Sequence, residues 1–152
     1  MQPRTIIISL IAFFIIVIGA AFIITSKQEQ QPTTMAFSAQ DKDRPKVEAG
    51  RTSFNMGEIK VSDIKRQDYS LKNTGTKPLQ ILNVNSSCGC TAGQIIYNGK
   101  TSKEYSMHSQ SGLVTEIAPG DTAIVRLTYR PATMPVYGLV ERAVYITTND
   151  PV

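Results

Sequence analysis

Residues 122–130 read Thr-Ala-Ile-Val-Arg-Leu-Thr-Tyr-Arg, and their alternation decides the fold class. Ala123, Val125, Leu127 and Tyr129 fall on one face, with Arg126, Thr128 and Arg130 on the other. A period of two sends successive side chains to opposite faces of a sheet, so this run predicts a half-buried strand. Tyr69 and Leu71 alternate in the same way with Asp68, Ser70 and Lys72, and residues 79–84, LQILNV, form another β-prone run. Val140, Val144 and Ile146 share a face opposed by Glu141, Tyr145 and Thr147, although Arg142 interrupts the apolar side. Between these runs lie turn signals: Asn73-Thr74-Gly75, Lys77-Pro78, Asn98-Gly99, Ala118-Pro119-Gly120-Asp121 and Asn149-Asp150-Pro151. Asn98-Gly99 behind Gln94-Ile95-Ile96-Tyr97 predicts a tight hairpin, whose two central residues need positive φ. Short strands with punctuating turns predict an all-β antiparallel sandwich, and no helix is evident beyond the N-terminal region.

That region is of another kind. Residues 6–25, IIISLIAFFIIVIGAAFIIT, carry no charge. A helix of this length spans roughly 30 Å at about 1.5 Å per residue, the thickness of a bilayer's hydrocarbon core. The expectation is an N-terminal transmembrane anchor over residues 1–25. A short N-terminal flank bearing Arg4 and no acid favours the amino terminus inside and the rest of the chain outside the cytoplasm. A cleaved signal peptide is the rival. Its apolar part is shorter, about 7–15 residues, and no good small-x-small site follows this run. No cysteine stands near the end of the run, which excludes lipid attachment there.

Residues 26–44, SKQEQQPTTMAFSAQDKDR, offer little to bury and predict a flexible tether. Residues 45–152 make one domain's worth of sequence. The net charge of +4 is a mild, scattered excess that does not argue for nucleic acid as a partner, and none is expected.

Taken in order, these segments resemble a known family. Phe54-Asn55-Met56-Gly57-Glu58-Ile59 precedes Tyr69-Ser70-Leu71-Lys72-Asn73-Thr74-Gly75 and Pro78-Leu79-Gln80-Ile81. Ser86-Ser87-Cys88-Gly89-Cys90-Thr91, Ala118-Pro119-Gly120, Gly138 and Thr148-Asn149-Asp150-Pro151 follow. This order is similar to the bacterial family catalogued as domain of unknown function 1573, itself similar to the immunoglobulin-like sandwiches of major sperm protein and the Hydin group. The resemblance covers roughly residues 52–151 and implies an immunoglobulin-like antiparallel β-sandwich, without an activity. Two departures stand out. Residues 92–116 lengthen the link between the Cys-Gly-Cys-Thr corner and the Pro-Gly turn, which predicts an added hairpin or long loop. The family pattern also runs past Asn-Asp-Pro into a final strand, whereas this sequence stops at Val152. The expectation is a sandwich short of its last strand, as a piece of a longer sequence; strand donation by another chain, a different local pairing or a domain that ends early are the alternatives.

Cys88 and Cys90 are the whole cysteine complement, and three readings of them stay open. They form a structural corner, bridged or not, in which Gly89 relaxes the backbone; or a reducible pair for thiol exchange; or a Cu(I) site, with His108 and Met107 as supplementary ligands. Zinc wants four ligands, and His108 is the only histidine. It lies in a polar stretch, Met107-His108-Ser109-Gln110, that reads as a solvated loop. No nucleophile elbow, P-loop or dinucleotide fingerprint is present, and Asp41 with Asp43 lie in the tether. Tyr97, Tyr105, Tyr129, Tyr137 and Tyr145 are expected mainly as packing residues, a few of them as a recognition surface. The expectation is a membrane-anchored, non-catalytic binding or scaffold module without a cofactor, facing a protein or envelope partner. A thiol redox or copper-handling protein is the alternative.

Overall fold

The structure, a computed structural model, describes Leu10, residues 12–19 and residues 33–152. The chain divides into two compact units, Met1–Thr33 and Thr34–Val152. In the first, residues 12–19 are helical and the side chains of Phe13, Phe14, Ile15, Ile16 and Ile18 are exposed. Among the described residues no helix is long and apolar enough to cross a membrane, and the rest of the expected span over 6–25 lies outside them.

The second unit is built from eight strands: β1 (Val47–Ala49), β2 (Lys65–Asn73), β3 (Leu79–Ser86), β4 (Thr91–Tyr97), β5 (Lys100–Thr101), β6 (Thr115–Ile117), β7 (Thr122–Tyr129) and β8 (Val144–Thr148). One sheet has the order β1-β2-β7-β4-β5 and the other β6-β3-β8, with every pairing antiparallel. The chain passes from one sheet to the other at β2–β3, at the Cys-Gly-Cys corner between β3 and β4, and at β5–β6, β6–β7 and β7–β8.

Alternation places the core as the sequence predicts. Ala123, Val125, Leu127 and Tyr129 of β7 are buried, as is Leu71 of β2. Leu71, Ala123, Val125 and Ile95 cluster with Leu79, Ile81, Val84 and Ile117 of the smaller sheet, the last four fully buried. Two apolar faces closing on each other make a β-sandwich. A bulge between Ile81 and Asn83 shifts the register of β3, so that Leu79, Ile81 and Val84 all reach the core. The β4–β5 hairpin turns on Asn98 (φ 49°) and Gly99 (φ 72°), the two positive-φ residues expected there. The extra stretch 92–116 thus supplies the sheet's strand β4, this hairpin, a loop bridged to β4 through Gly93 and Tyr105, and most of β6.

Two boundaries differ from the sequence reading. The compact unit starts at Thr34, so residues 34–44 belong to it rather than to a tether. Met35 N–H donates to Gln80 Oε1 (2.9 Å), Thr76 N–H donates to the Arg44 carbonyl (3.0 Å), and Arg44 pairs with Asp150. These are polar ties to remote residues, which the low apolar content of the segment does not reveal. Second, β8 begins at Val144, not at Val140. Pro131 opens a 3₁₀ turn (Pro131–Thr133), Pro135 follows, and Gly138 has φ 91°, so residues 134–143 run as an irregular loop.

The Asp68–Arg126 pair bridges β2 and β7 with two hydrogen bonds, of 2.8 and 2.7 Å. These bonds hold the Asp68 carboxyl below its usual value; partial desolvation opposes them and the arginine's charge adds to them. A lowered carboxylate stabilises the fold above its unfolded pKa, and that contribution is lost as pH falls through the folded value, below about pH 4. Both side chains are more than a third exposed, so the effect is small and screened. Asp68→Asn is therefore expected to cost slightly at neutral pH, and nothing measurable at high salt or in acid, by urea unfolding.

Candidate functional site: the Cys-Gly-Cys corner and the adjoining loop

Cys88 and Cys90 sit where β3 hands over to β4, and the structure joins them in a disulfide with Cα atoms 5.3 Å apart. Both are buried, at 6% and 2% exposure. The turn is held from within. Ser86 Oγ lies 2.8 Å from the Cys88 carbonyl and 2.7 Å from the Thr91 carbonyl, while Thr91 N–H donates to the Cys88 carbonyl. It is held from without by the segment ahead of β8: Ser87 N–H donates to the Ala143 carbonyl (3.0 Å) and Ala143 N–H to Ser87 Oγ (2.9 Å). Arg130 N–H closes the third side on the Cys90 carbonyl (2.8 Å). Gly89 is not required sterically. Its φ lies outside the left-handed region, and nothing stands within 4 Å of where a Cβ would be.

The bridge belongs to a second apolar cluster with Leu127 and Tyr129, against which Met56, Ile59, Tyr69, Val140 and Val144 pack. Burial raises the Tyr69 phenol above its usual pKa, with Arg51 opposing. The sulfurs also have polar neighbours. Thr91 Oγ1 lies 3.3 Å from Cys88 Sγ and 3.9 Å from Cys90 Sγ. Arg142 Nε–H points at Cys90 Sγ from 3.2 Å, with its guanidinium 5.9 Å from the Tyr129 ring centroid. Arg142, which interrupts the apolar alternation in the sequence, spans from the loop to the disulfide. That interruption is the one sign of its role in the sequence, whereas Ser86, Ser87 and Thr91 are marked there only as flanks of the Cys-Gly-Cys motif.

His108 is not brought to the cysteines. It is exposed and lines an open polar depression of about 630 Å³ with Asn83, Asn85, Met107, Gln110 and Ser111. Among the described residues no three His, Cys, Asp or Glu side chains converge as metal ligands. Bridged sulfurs carry no thiolate to offer a soft metal.

The expected tyrosines divide. Tyr105 and Tyr129 are buried, and burial raises the Tyr105 phenol. Tyr97 instead makes polar ties. Its hydroxyl donates to Asp121 Oδ2 (2.7 Å) and accepts from Ala118 N–H (3.1 Å), fastening the Pro-Gly turn. Tyr145 is exposed on the outer face of β8. Tyr137 stands out with its neighbours. In the loop 134–139, Met134 and Val136 are about half exposed, Tyr137 is 86% exposed and Leu139 is fully exposed.

The arrangement defines a class: a two-sheet antiparallel β-sandwich with a disulfide-closed Cys-Gly-Cys corner and an apolar loop docked onto it through Arg142. The chain belongs to the family described as protein of unknown function (DUF1573), whose profile matches residues 47–151. Comparison with curated proteins and with solved structures returned no match.

Proposed function

We propose that this chain is a non-catalytic binding module, with an immunoglobulin-like sandwich held on the outer side of the cytoplasmic membrane by residues 6–25. Its loop 134–139 recognises a protein partner. The observation that carries this reading is the exposure of Met134, Val136, Tyr137 and Leu139 together on one short loop. Clustered exposed apolar side chains mark interaction surfaces, and methionine and tyrosine are enriched at protein interfaces. A rigid scaffold stands behind the loop, since Val140 packs into the second apolar cluster and Ala143 is bonded to Ser87. No cofactor or nucleic acid enters this reading.

The test is capture from intact cells with the full chain as bait. Tyr137→Ser with Leu139→Ser is expected to reduce capture of a protein partner at least about tenfold, since buried aromatic and aliphatic anchors dominate interfaces. Unfolding curves should stay close to wild type, because both side chains are in solvent. Unchanged capture would refute the loop as the recognition surface, and binding to lipid vesicles alone would make it a membrane contact. An export-dependent reporter fused after Val152 should be active, with the full-length mass in the membrane fraction.

The corner has a scaffolding role in this reading. Replacing Cys88 and Cys90 together with serine is expected to cost about 2 kcal/mol or less by urea unfolding, because so short a loop constrains the unfolded chain little. Partner capture should persist in the folded variant.

A further inference from the structure

The Cys88–Cys90 bridge is chemically asymmetric. Cys90 Sγ receives the Arg142 Nε–H at 3.2 Å, whereas the hydrogen-bond partner of Cys88 Sγ is the neutral Thr91 hydroxyl at 3.3 Å. Arg142 is half-buried, and among the described residues it forms no ion pair with a carboxylate. A cation held at one sulfur stabilises the negative charge that develops there. In disulfide exchange that charge forms on the departing sulfur, and a better-stabilised thiolate leaves faster. Cys88 is therefore the sulfur to be attacked. Of the two buried residues Cys88 has the slightly greater exposure, 6% against 2%, and Gly89 between them is exposed at the tip of the turn.

We propose that Cys88–Cys90 is a thiol–disulfide exchange site of fixed polarity, reduced by a dithiol that attacks Cys88 and releases Cys90 as the thiolate held by Arg142. One thiolate of the dithiol bonds to Cys88 Sγ; the Cys88–Cys90 bond breaks and its electron pair passes to Cys90 Sγ. The dithiol's second thiol then attacks its own partner sulfur in the mixed disulfide. The reductant's disulfide closes, and Cys88 Sγ leaves and takes the proton given up by that second thiol. Two electrons pass from the dithiol to the bridge. The site is independent of partner recognition by the loop 134–139.

The full chain in detergent is treated with reduced glutathione, a monothiol, and the adduct is mapped by mass spectrometry. In parallel the bridge is equilibrated in dithiothreitol redox buffers for wild type, Arg142→Met and Arg142→Lys, with near-ultraviolet circular dichroism reporting the fold. The expected adduct is on Cys88, formed while the domain stays folded. Arg142→Met should disfavour reduction about tenfold, about 30 mV for a two-electron couple, with Arg142→Lys between. In Cys88→Ser, the thiolate absorbance of Cys90 should appear at higher pH once Arg142 is also replaced by methionine. A merely structural arginine would not move that profile. Glutathione on Cys90, an unshifted equilibrium in folded Arg142→Met, or reduction only on unfolding would overturn the proposal. The adduct position in wild type decides even if the arginine variants fail to fold.

Discussion

Asn73→Ala is expected to destabilise the domain by about 3–4 kcal/mol, a large fraction of a typical 5–15 kcal/mol total. Asn73 ends β2 and has no exposed surface, yet its amide serves four backbone groups. Nδ2 donates to the carbonyls of Lys77 (2.8 Å) and Ile117 (3.0 Å), and Oδ1 accepts from the N–H groups of Gly75 (3.0 Å) and Lys46 (3.4 Å). One side chain thus ties β2, the turn after it, the approach to β1 and the end of β6. Alanine strips partners from several buried groups at once, and an unsatisfied buried group costs more than its bond contributes when made. Asn73→Asp is nearly the same shape, yet it sets a carboxylate oxygen against two carbonyls and should be at least as damaging at neutral pH. Urea unfolding measures both. A loss below about 1 kcal/mol in the alanine variant would show that water replaces the amide.

Asp150→Ala is the second large effect, expected near 3 kcal/mol. Asp150 Oδ1 accepts from Arg44 at 2.5 Å and Oδ2 from the Val47 N–H at 2.9 Å, and the side chains of Arg44 and Asp150 are only 14% and 5% exposed. The pair fastens the segment before β1 to the turn after β8. Removing the carboxylate leaves a guanidinium largely cut off from water and a strand N–H without its acceptor. Asp150→Asn keeps one acceptor for Val47 and should lose roughly half as much, by the smaller worth of a neutral hydrogen bond. Because the pair is buried, high salt should change the difference little, unlike that for Asp68→Asn. A strong salt dependence would mean that the pair is open to solvent.

Asn73 and Asp150 also mark the limit of what is legible in the sequence. The alternation in 122–130 and around Tyr69 and Leu71 locates core strands, because one apolar face is enough to orient a strand. Asn98-Gly99 locates a hairpin, because few residues accept positive φ. Asn73 and Asp150 are legible only as turn formers. Their partners lie up to 44 residues away for Asn73 and 106 for Asp150, and no local pattern encodes such polar ties. The ordering of 34–44 escapes for the same reason: it rests on hydrogen bonds rather than on apolar burial. At the corner, the Cys-Gly-Cys spacing singles out the right pair while leaving bridge, thiols and metal open. Gly89 reads as a residue that relaxes the backbone at the corner, yet its position has room for a Cβ. Arg142 looks like a flaw in an apolar face because its target, Cys90, enters from another part of the chain.

The central claim, recognition of a protein through the loop 134–139, is tested most directly by photo-crosslinking in intact cells. A photoreactive residue is placed at Tyr137, at Leu139 or, as a control, at Lys72 on the exposed face of β2. A discrete protein adduct is expected from positions 137 and 139, absent from 72, and unchanged when Cys88 and Cys90 are both serine. No protein adduct from either loop position, or the same adducts from Lys72, would contradict it.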